Sequence, residues 1–508
     1  MKPLVLSALL AIILAGLLNA QTVEIPDTAF LYALISEGVD INGDSLISIE
    51  EAEAVTSLDV HNYISDMTGI EAFVNLDTLD CNGEGSAEVP PNFITILDVS
   101  NNTLLTRLDC SMNLLTSLDV SNNLALEWLY CQQNQLNSLD VSNNTALTFI
   151  NCSKNQLDSL DVSNNAGLKY LWSGENFFDT LDVSNNIELL YLAFNNNLLT
   201  NLDISNNNSL TYLNCAENQL SNLDVSNNNV IRNLFCDGNL ITSLDVSNLS
   251  SLQRLGCSAN QITSLDVSQN TALFYLQCSR NLLTELDITN NIALEDLSCT
   301  HMQLNSLDVS GNDGLIYLSC YENQLTSLDV SNKPDLAKLR CWDNLLNTLN
   351  VTNDTVLTDL YCSGNQLTSL DISTTTAIKT LDIAFMPTLF EVCVWTMPFP
   401  PEGVDVGWGD SPNICYTDVC GSCGVGVNEY KRSGLSIYPN PVYDLLIIET
   451  NTSGPISLSI TSTNGQLLYY NKIEGPTCRI DLATFRKGLY IITVESKDFV
   501  RREKIIKQ

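Results

Sequence analysis

Leu118-Asp119-Val120-Ser121-Asn122-Asn123 is one copy of a hexapeptide that recurs along most of the chain. Its aspartate falls every 21 residues from Asp98 to Asp329; Asn350 takes the next place and Asp371 the one after. A fixed short period over this length means a solenoid, in which each repeat buries its apolar side only against its neighbours. That architecture also lets 508 residues fold without one oversized core.

Each repeat carries a second unit. In one copy Leu220, Leu223 and Val225 form the first unit, and Ile231, Leu234 and Cys236 the second. Alternate residues of a strand face the same side, so the Leu and Cys of the second unit both point inward. Successive units lie 10 and 11 residues apart, which leaves room for two short strands and two tight turns per coil. The second unit, Leu-x-x-Leu-x-Cys-x-x-Asn, resembles the leucine-rich repeat over about Val55 to Val394, with Cys in place of the third leucine. The resemblance implies parallel strands on one face. The family's usual helix on the other face is replaced here by the short Leu-Asp-Val strand. The expected fold is mainly β: a leucine-rich-repeat solenoid of 21-residue repeats with a short helical N-terminal cap and a C-terminal β-sandwich domain.

Three ladders follow from the period. Cysteines run from Cys81 and Cys110 to Cys362, interrupted by Ser173 and Phe194, and read as small buried hydrophobes. Stacked strands bring them close enough for disulfides but aim them poorly for one. Asparagines run from Asn113 to Asn365, broken at Met302, at turns where an amide can pair backbone groups. The aspartates of Leu-Asp-Val point outward. Like charges ~5 Å apart repel by on the order of 1 kcal/mol in water, so the stack calls for solvent, hydrogen bonds from nearby Ser and Thr, or cations.

Two columns break the monotony. They flank the inward leucine of the second unit, and they are varied and rich in aromatics. Trp128, Tyr130, Phe149, Tyr170, Trp172, Tyr191, Tyr212 and Phe235 would form one exposed patch. Such patches mark interaction sites. The competing reading is cross-strand stacking for stability.

The ends differ from the body. Lys2, the apolar run from Leu4 to Leu18 and Leu18-Asn19-Ala20 read as a signal peptide over residues 1–20, with no later run able to span a membrane. Residues 21–54 form an N-terminal cap, with a helix around Phe30 and Leu34 behind Asp27 as N-cap. An acidic loop follows, offering oxygen ligands at Asp40, Asn42, Asp44, Ser48 and Glu51, and the Leu46 carbonyl. It resembles an EF-hand or dockerin-type loop, which implies a calcium cofactor. It departs from that family at Ser45, where glycine is usual. The other reading is an acidic turn that caps the solenoid without metal.

The solenoid is assigned to residues 55–394. An insertion of about eight residues lies around Gly83 to Phe93, since Cys81 and Val99 are 18 apart where other coils have 10. Residues 395–434 are a Cys-containing cap and linker. Cys393, Cys415, Cys420 and Cys423 sit off the ladder, and a disulfide from Cys393 to Cys415 or Cys420 is expected, with zinc the rival. From residue 435 to 508 the chain reads as strands and turns. Tyr438-Pro439-Asn440-Pro441, Asn464-Gly465 and Lys487-Gly488-Leu489-Tyr490 before a Lys-rich end are similar to the type A C-terminal sorting domain of the type IX secretion system. That resemblance implies export through the type IX machinery and a secreted or outer-membrane surface location.

Charge agrees with two parts. The chain carries a net −37, but from Tyr430 onward 11 Lys and Arg outnumber 7 Asp and Glu, leaving the body at −41. Such a body repels nucleic acid and anionic lipid. No catalytic constellation is present: His61 and His301 lie in different coils, and no phosphate loop or zinc-protease motif occurs. The expectation is a non-enzymatic surface or secreted binding protein that recognises a protein or glycan through its aromatic strand face. The alternative is a structural surface or stalk protein with no specific ligand.

Overall fold

The computed structural model describes residues 21–83, 91–407, 409, 411, 414–423, 435–438, 441–450, 456–462, 466–473, 477–495 and 500–508. The signal peptide, the middle of the insertion, the linker at 424–434, Pro439-Asn440 and the Asn464-Gly465 turn lie outside them. The chain divides into two compact units, Met1–Ser422 and Cys423–Gln508.

The first unit opens on α1 (Thr28–Ser36), whose N-cap Asp27 accepts from the N–H of Ala29 and Phe30. A second helix, α2 (Ile49–Ala54), is held by a capping box between Ser48 and Glu51. The strands β1 (Ser57–Asp59), β2 (Thr78–Asp80), β3 (Arg107–Asp109) and β4 (Trp128–Tyr130) then begin a parallel sheet of 17 strands that ends at Asp405–Gly407. Each of these strands has three residues, and the central one faces inward. Neighbours pair 21 residues apart, as Leu129 does with Ile150, except where the insertion lengthens the step from Leu79 to Leu108 and at the last step, from Leu381 to Val406.

One coil shows what holds the stack. Leu115, Leu118, Val120, Leu126, Leu129 and Cys131 are all buried. A fully buried leucine contributes about 2 kcal/mol. From Cys110 onward the turn after the Cys passes through the left-handed region, at Gln133 (φ 56°) and Lys154 (φ 57°), for example, with glycine there at Gly238 and Gly364. A non-glycine residue there costs about 1 kcal/mol. The next asparagine offsets it. Asn134 donates Nδ2 to the carbonyls of Cys110 (3.0 Å) and Cys131 (3.2 Å), and its Oδ1 accepts from Leu115 N–H (2.9 Å). Asn92, at the end of the insertion, starts this ladder by donating to Val60 and Cys81 and accepting from Asn62 and Ile64.

A second asparagine ladder runs through the last residue of Ser-Asn-Asn. Asn144 is fully buried, and its Nδ2 donates to the carbonyls of Val120 and Asn123, both at 2.9 Å. Its Oδ1 has no partner, and the same holds for Asn123, Asn165 and Asn186. The amide group thus serves here as a donor only. Leu249, Lys333, Asp354 and Thr375 take this place in other coils, and all four are buried.

That column also corrects the expectation of two strands per coil. Leu118 and Val120 face inward as expected, but Leu-Asp-Val forms a strand only in the last coils: Ser327–Asp329, Thr348–Asn350 and Ser369–Asp371. Where the buried Asn is kept, its N–H turns back on the Val three residues earlier, as Asn144 does on Val141 (3.0 Å). Where Lys333 stands, its N–H goes instead to Asp354 Oδ1 (2.9 Å), and the N–H groups of Val330 and Asn332 cross to Asn350 and Thr352 of the next coil. The turn opens and a strand ladder forms.

The twelve ladder cysteines are free and buried. Burial pushes the thiols of Cys152, Cys278 and Cys320 up to about 12 and the others in the same direction. They are unreactive packing groups. At the C-terminal end of the repeats Cys393 is bonded to Cys420, and Cys415 and Cys423 are disulfide-bonded as well.

The second unit is a β-sandwich of two antiparallel sheets. One holds Leu435–Tyr438, Leu445–Thr450 and Thr477–Asp481; the other holds Leu467–Ile473, Ile456–Ser462, Gly488–Glu495 and Val500–Lys507. Leu446, Ile448 and Ile480 from the first meet Leu458, Ile460, Ile492 and Val494 from the second in one core.

Two outcomes follow for the body. A thiol reagent on the native chain labels Cys478, the half-buried free cysteine, and spares the ladder; unfolding without reductant raises the count to 13. Native labelling at Cys215 or Cys236 would show that the coils open. The second concerns Asp354, whose carboxyl burial pushes up to about 7. The unfolded carboxyl titrates near pH 4, so the penalty is absent below about pH 4, grows up to about pH 7 and is full above it. Asp354→Asn is expected to raise stability at pH 8 by on the order of 1–2 kcal/mol, with little gain at pH 4.5. Urea midpoints at the two pH values check it.

Candidate functional site

The inward leucine of each strand fixes the direction of its two neighbours, which stand outward about 4.8 Å from their counterparts on the next strand. The pairing puts Arg107, Trp128, Phe149, Tyr170, Tyr191 and Tyr212 in one row. Asp109, Tyr130, Asn151, Trp172, Ala193, Asn214 and Phe235 form the other.

The rings touch both diagonally across the rows and between neighbours of one row. Tyr130 meets Phe149 (centroids 4.5 Å apart), Phe149 meets Trp172 (5.8 Å), Trp172 meets Tyr191 (5.3 Å), Tyr191 stacks on Tyr212 (3.9 Å) and Tyr212 meets Phe235 (5.8 Å). Tyr170 joins through Phe149 (5.9 Å). Seven of the eight expected residues thus form one continuous row. Trp128 stands beside them in register with Phe149, without a ring contact among the described residues. Exposure separates two roles. Trp128, Tyr170 and Trp172 keep 38, 39 and 37% of their surface in solvent, while the other five are half-buried against one another. Tyr130 is further engaged by Arg107, whose guanidinium lies 4.5 Å from its ring centroid and whose Nη1 donates to its hydroxyl (3.3 Å). Cross-strand stacking therefore engages the row, Tyr170 and Trp172 included, but it does not reach Trp128 and leaves these three rings the most exposed of the eight.

The face continues beyond the expected patch. Phe235 reaches Tyr275 (6.5 Å). A polar cleft of about 330 Å³ follows, lined by Gln277, Asp296, Ser298, Tyr317, Ser319, Lys338 and Arg340. Burial pushes the Asp296 carboxyl above its ordinary value. In the coils that line the cleft, Tyr321 stacks on Trp342 (3.8 Å), with His301 edge-on to Tyr321 (5.1 Å) and Trp342 edge-on to Tyr361 (6.1 Å). Tyr321 and Trp342 occupy the column just after the ladder cysteine, which elsewhere holds small or polar residues such as Ser153, Gly174 and Ala216. That departure was the available signal.

The aspartate ladder is held locally. Ser142 donates its N–H to Asp140 Oδ1 (2.9 Å), and the same bond recurs from Ser121 to Asp119 and from Ser163 to Asp161. The hydroxyl and N–H of Ser142 keep the Asp140 carboxyl below its ordinary value.

The acidic loop is also self-contained. Ser45 adopts φ 65°, so it takes the left-handed conformation at the place where glycine is usual. Asp40 accepts from the N–H groups of Gly43, Asp44 and Ser45, Asn42 from that of Asp44, and Asp44 from that of Leu46. Glu51 is buried; its Oε1 accepts from Ile41 and Asn42, and its Oε2 from the N–H and hydroxyl of Ser48. A calcium loop needs Glu51 to give both oxygens to the ion, and here both are taken. Asp40, Asp44 and Glu51 do not converge as a ligand group among the described residues. As arranged, Asp40, Asp44 and Glu51 are engaged by the loop's own N–H groups.

Residues 436–508 match the family described as the secretion system C-terminal sorting domain. The chain is also 26% identical to the functional domain of InlJ from Listeria monocytogenes, described as including a cysteine ladder, with a TM-score of 0.62 over 96% of this chain and 100% of that one. This is a leucine-rich-repeat protein with a secretion sorting domain. YopM from Yersinia enterocolitica is 23% identical over 71% of the repeat protein and 78% of YopM, at a TM-score of 0.56. The plant peptide hormone receptor RGFR1, solved in complex with RGF2, is 18% identical over 71% of this chain and 64% of the receptor, at a TM-score of 0.60. These last two share the fold. Comparison with curated proteins finds no match. The sorting domain makes the repeat protein an exported one, secreted or held at the outer-membrane surface. No described helix is long and apolar enough to cross a membrane.

Proposed function

We propose that the exported body is a binding scaffold whose strand face recognises a protein or glycan, with Trp128, Tyr170 and Trp172 as the anchoring contacts. The observation that carries this reading is the exposure of these three rings beside a row that packs and stiffens them. Half-exposed indoles on a rigid support are what a hot spot requires: large area with little side-chain entropy to lose on binding. A glycan would stack its apolar sugar faces on the rings and place hydroxyls in the polar cleft; an extended peptide would lay alternate side chains between them. The leucine-rich-repeat fold of RGFR1, solved with RGF2, offers a fold-level parallel for the second mode. The structural-stalk alternative needs no exposed indoles.

The full chain, screened against a glycan array and by pull-down from candidate surfaces, is expected to show a saturable partner. Trp128→Ala combined with Trp172→Ala should weaken that partner at least about tenfold, equivalent to the loss of two hot-spot residues, while leaving the melting temperature within a few degrees. Binding unchanged by the double variant would move the site off this face. A blank screen would favour the stalk.

For the acidic loop, the hydrogen bonds support a metal-free cap. Melting temperatures in millimolar calcium and in chelator should coincide. A calcium-dependent rise that disappears in Asp40→Asn would reinstate the loop as a calcium site.

A further inference from the structure

The first coils carry a cluster that the aromatic row does not use. β1 and β2 pair Asp59 with Asp80 in register. His61 follows two residues after Asp59, and ligand atoms of Asp59, His61 and Asp80 all lie within 4.8 Å of one another. His61 Nε2 is 2.7 Å from Asp59 Oδ1, and His61 Nδ1 is 3.1 Å from the main-chain oxygen of Asn82. A carbonyl oxygen only accepts, so the Asn82 contact is made by a ring N–H at Nδ1. That leaves Nε2 as the nitrogen turned toward Asp59, where it either shares a proton with the carboxylate or, with a small adjustment of the carboxylate, ligates a metal ion.

Two further features favour the metal. Asn82 orients both remaining donors at once: its main-chain oxygen receives the His61 ring N–H, while its side-chain amide (2.7 Å) and N–H (3.2 Å) donate to Asp80 Oδ1. Such outer partners hold metal-binding imidazoles and carboxylates in place. The local charge also calls for a cation. Asp109 is next in register after Asp80, yet the nearby arginine, Arg107, pairs with Asp109 (3.9 Å). Among the described residues no Lys or Arg forms an ion pair with Asp59 or Asp80. The other converging set, Asp371 with Cys393 and Cys420, has its two sulfurs joined in a disulfide.

We propose that Asp59, His61 and Asp80 bind a divalent transition-metal ion of the zinc class at the N-terminal end of the strand face. One imidazole and two carboxylates suit zinc, whereas calcium and magnesium take oxygen alone. Three protein donors leave a coordination position open, and the Asp59 side chain is 67% exposed, so that position faces solvent and any partner lying along the sheet. The inference stands apart from the aromatic reading, because it concerns the metal alone.

The test titrates the full chain with zinc chloride by calorimetry, in millimolar calcium to occupy the generic acidic surface. One equivalent of zinc is expected. His61→Ala and Asp80→Asn should each weaken it about tenfold or more, and His301→Ala should leave it unchanged. Circular dichroism in metal-free buffer checks that each variant folds. X-ray absorption at the zinc edge on the wild-type chain is independent of any variant and should show nitrogen and oxygen neighbours only. Equal zinc binding by wild type and His61→Ala, no zinc bound at all, or a sulfur neighbour that places the ion on the cysteines would each overturn the site.

Discussion

Every structural feature of the body answers to one constraint: a buried peptide group must be hydrogen-bonded. A coil of 21 residues turns twice, and each turn points main-chain carbonyls into an apolar interior. Strand pairing satisfies only three residues per coil on the Cys face. The two asparagine columns do the rest. One works in both directions, donating from Nδ2 and accepting at Oδ1 from the coil before, as Asn134 does with Leu115. The other donates only and leaves its Oδ1 without a partner, as in Asn144. An unpaired amide oxygen is tolerated because the same side chain ties down two carbonyls, and an orphaned acceptor costs less than two. The left-handed residue ahead of Asn134 is held by the same bonds.

The interior is then free to be small and uniform. Cysteine fills the third inward position because adjacent coils leave space for a compact side chain, and a thiol buried among leucines stays protonated and inert. Phe194 and Ser173 show that the position is a matter of volume: a phenyl ring in one coil lies next to a hydroxyl in its neighbour, and both are fully buried. Ends are another matter, since a terminal coil has no neighbour to cover it. α1 and α2, with the self-bonded acidic loop between them, cover the first coil; the Cys393–Cys420 disulfide fastens the last.

The fold was legible because period and inward pattern are strong signals. Leu129, Cys131 and Asn134 could each be placed from the sequence alone. What was not legible were differences that the letters conceal. The two asparagines of Ser-Asn-Asn look alike, yet Asn143 is exposed and Asn144 fully buried. Leu-Asp-Val reads as a strand everywhere, yet on this face it pairs as one only in the last coils, from Ser327–Asp329 to Ser369–Asp371, beginning where Lys333 replaces the buried Asn. For the site, alternation identified the outward rings but not which of them pack on each other, because diagonal contacts depend on side-chain direction. Tyr321 and Trp342 fell in a column that alternation assigns to the turn. The His61 cluster brings together a turn residue and two strand residues from adjacent coils, and local sequence says nothing of how a turn side chain leans.

The near-identity of the coils makes their exceptions meaningful. Leu, Val, Cys, both asparagines and the Asp-Ser pair each serve the stack, and a column that serves the stack repeats one residue type. The two rows beside the inward leucine change along the sheet, apart from short runs such as Tyr170, Tyr191 and Tyr212. If ring stacking for stability were their purpose, the best pair, Tyr191 on Tyr212, would recur from coil to coil as the ladders do. Instead the rings are densest from Trp128 to Phe235 and thin out over the coils of the polar cleft, where Lys338 and Arg340 enter the rows and the stacked pair of Tyr321 and Trp342 stands in the turn column. Folding demands are the same in every coil, so they cannot produce an order that changes along the sheet. A sheet whose outward rows change from the carboxylates of Asp59 and Asp80, through the exposed rings, to the cleft of Asp296, Lys338 and Arg340 has a direction that the repeat itself does not supply.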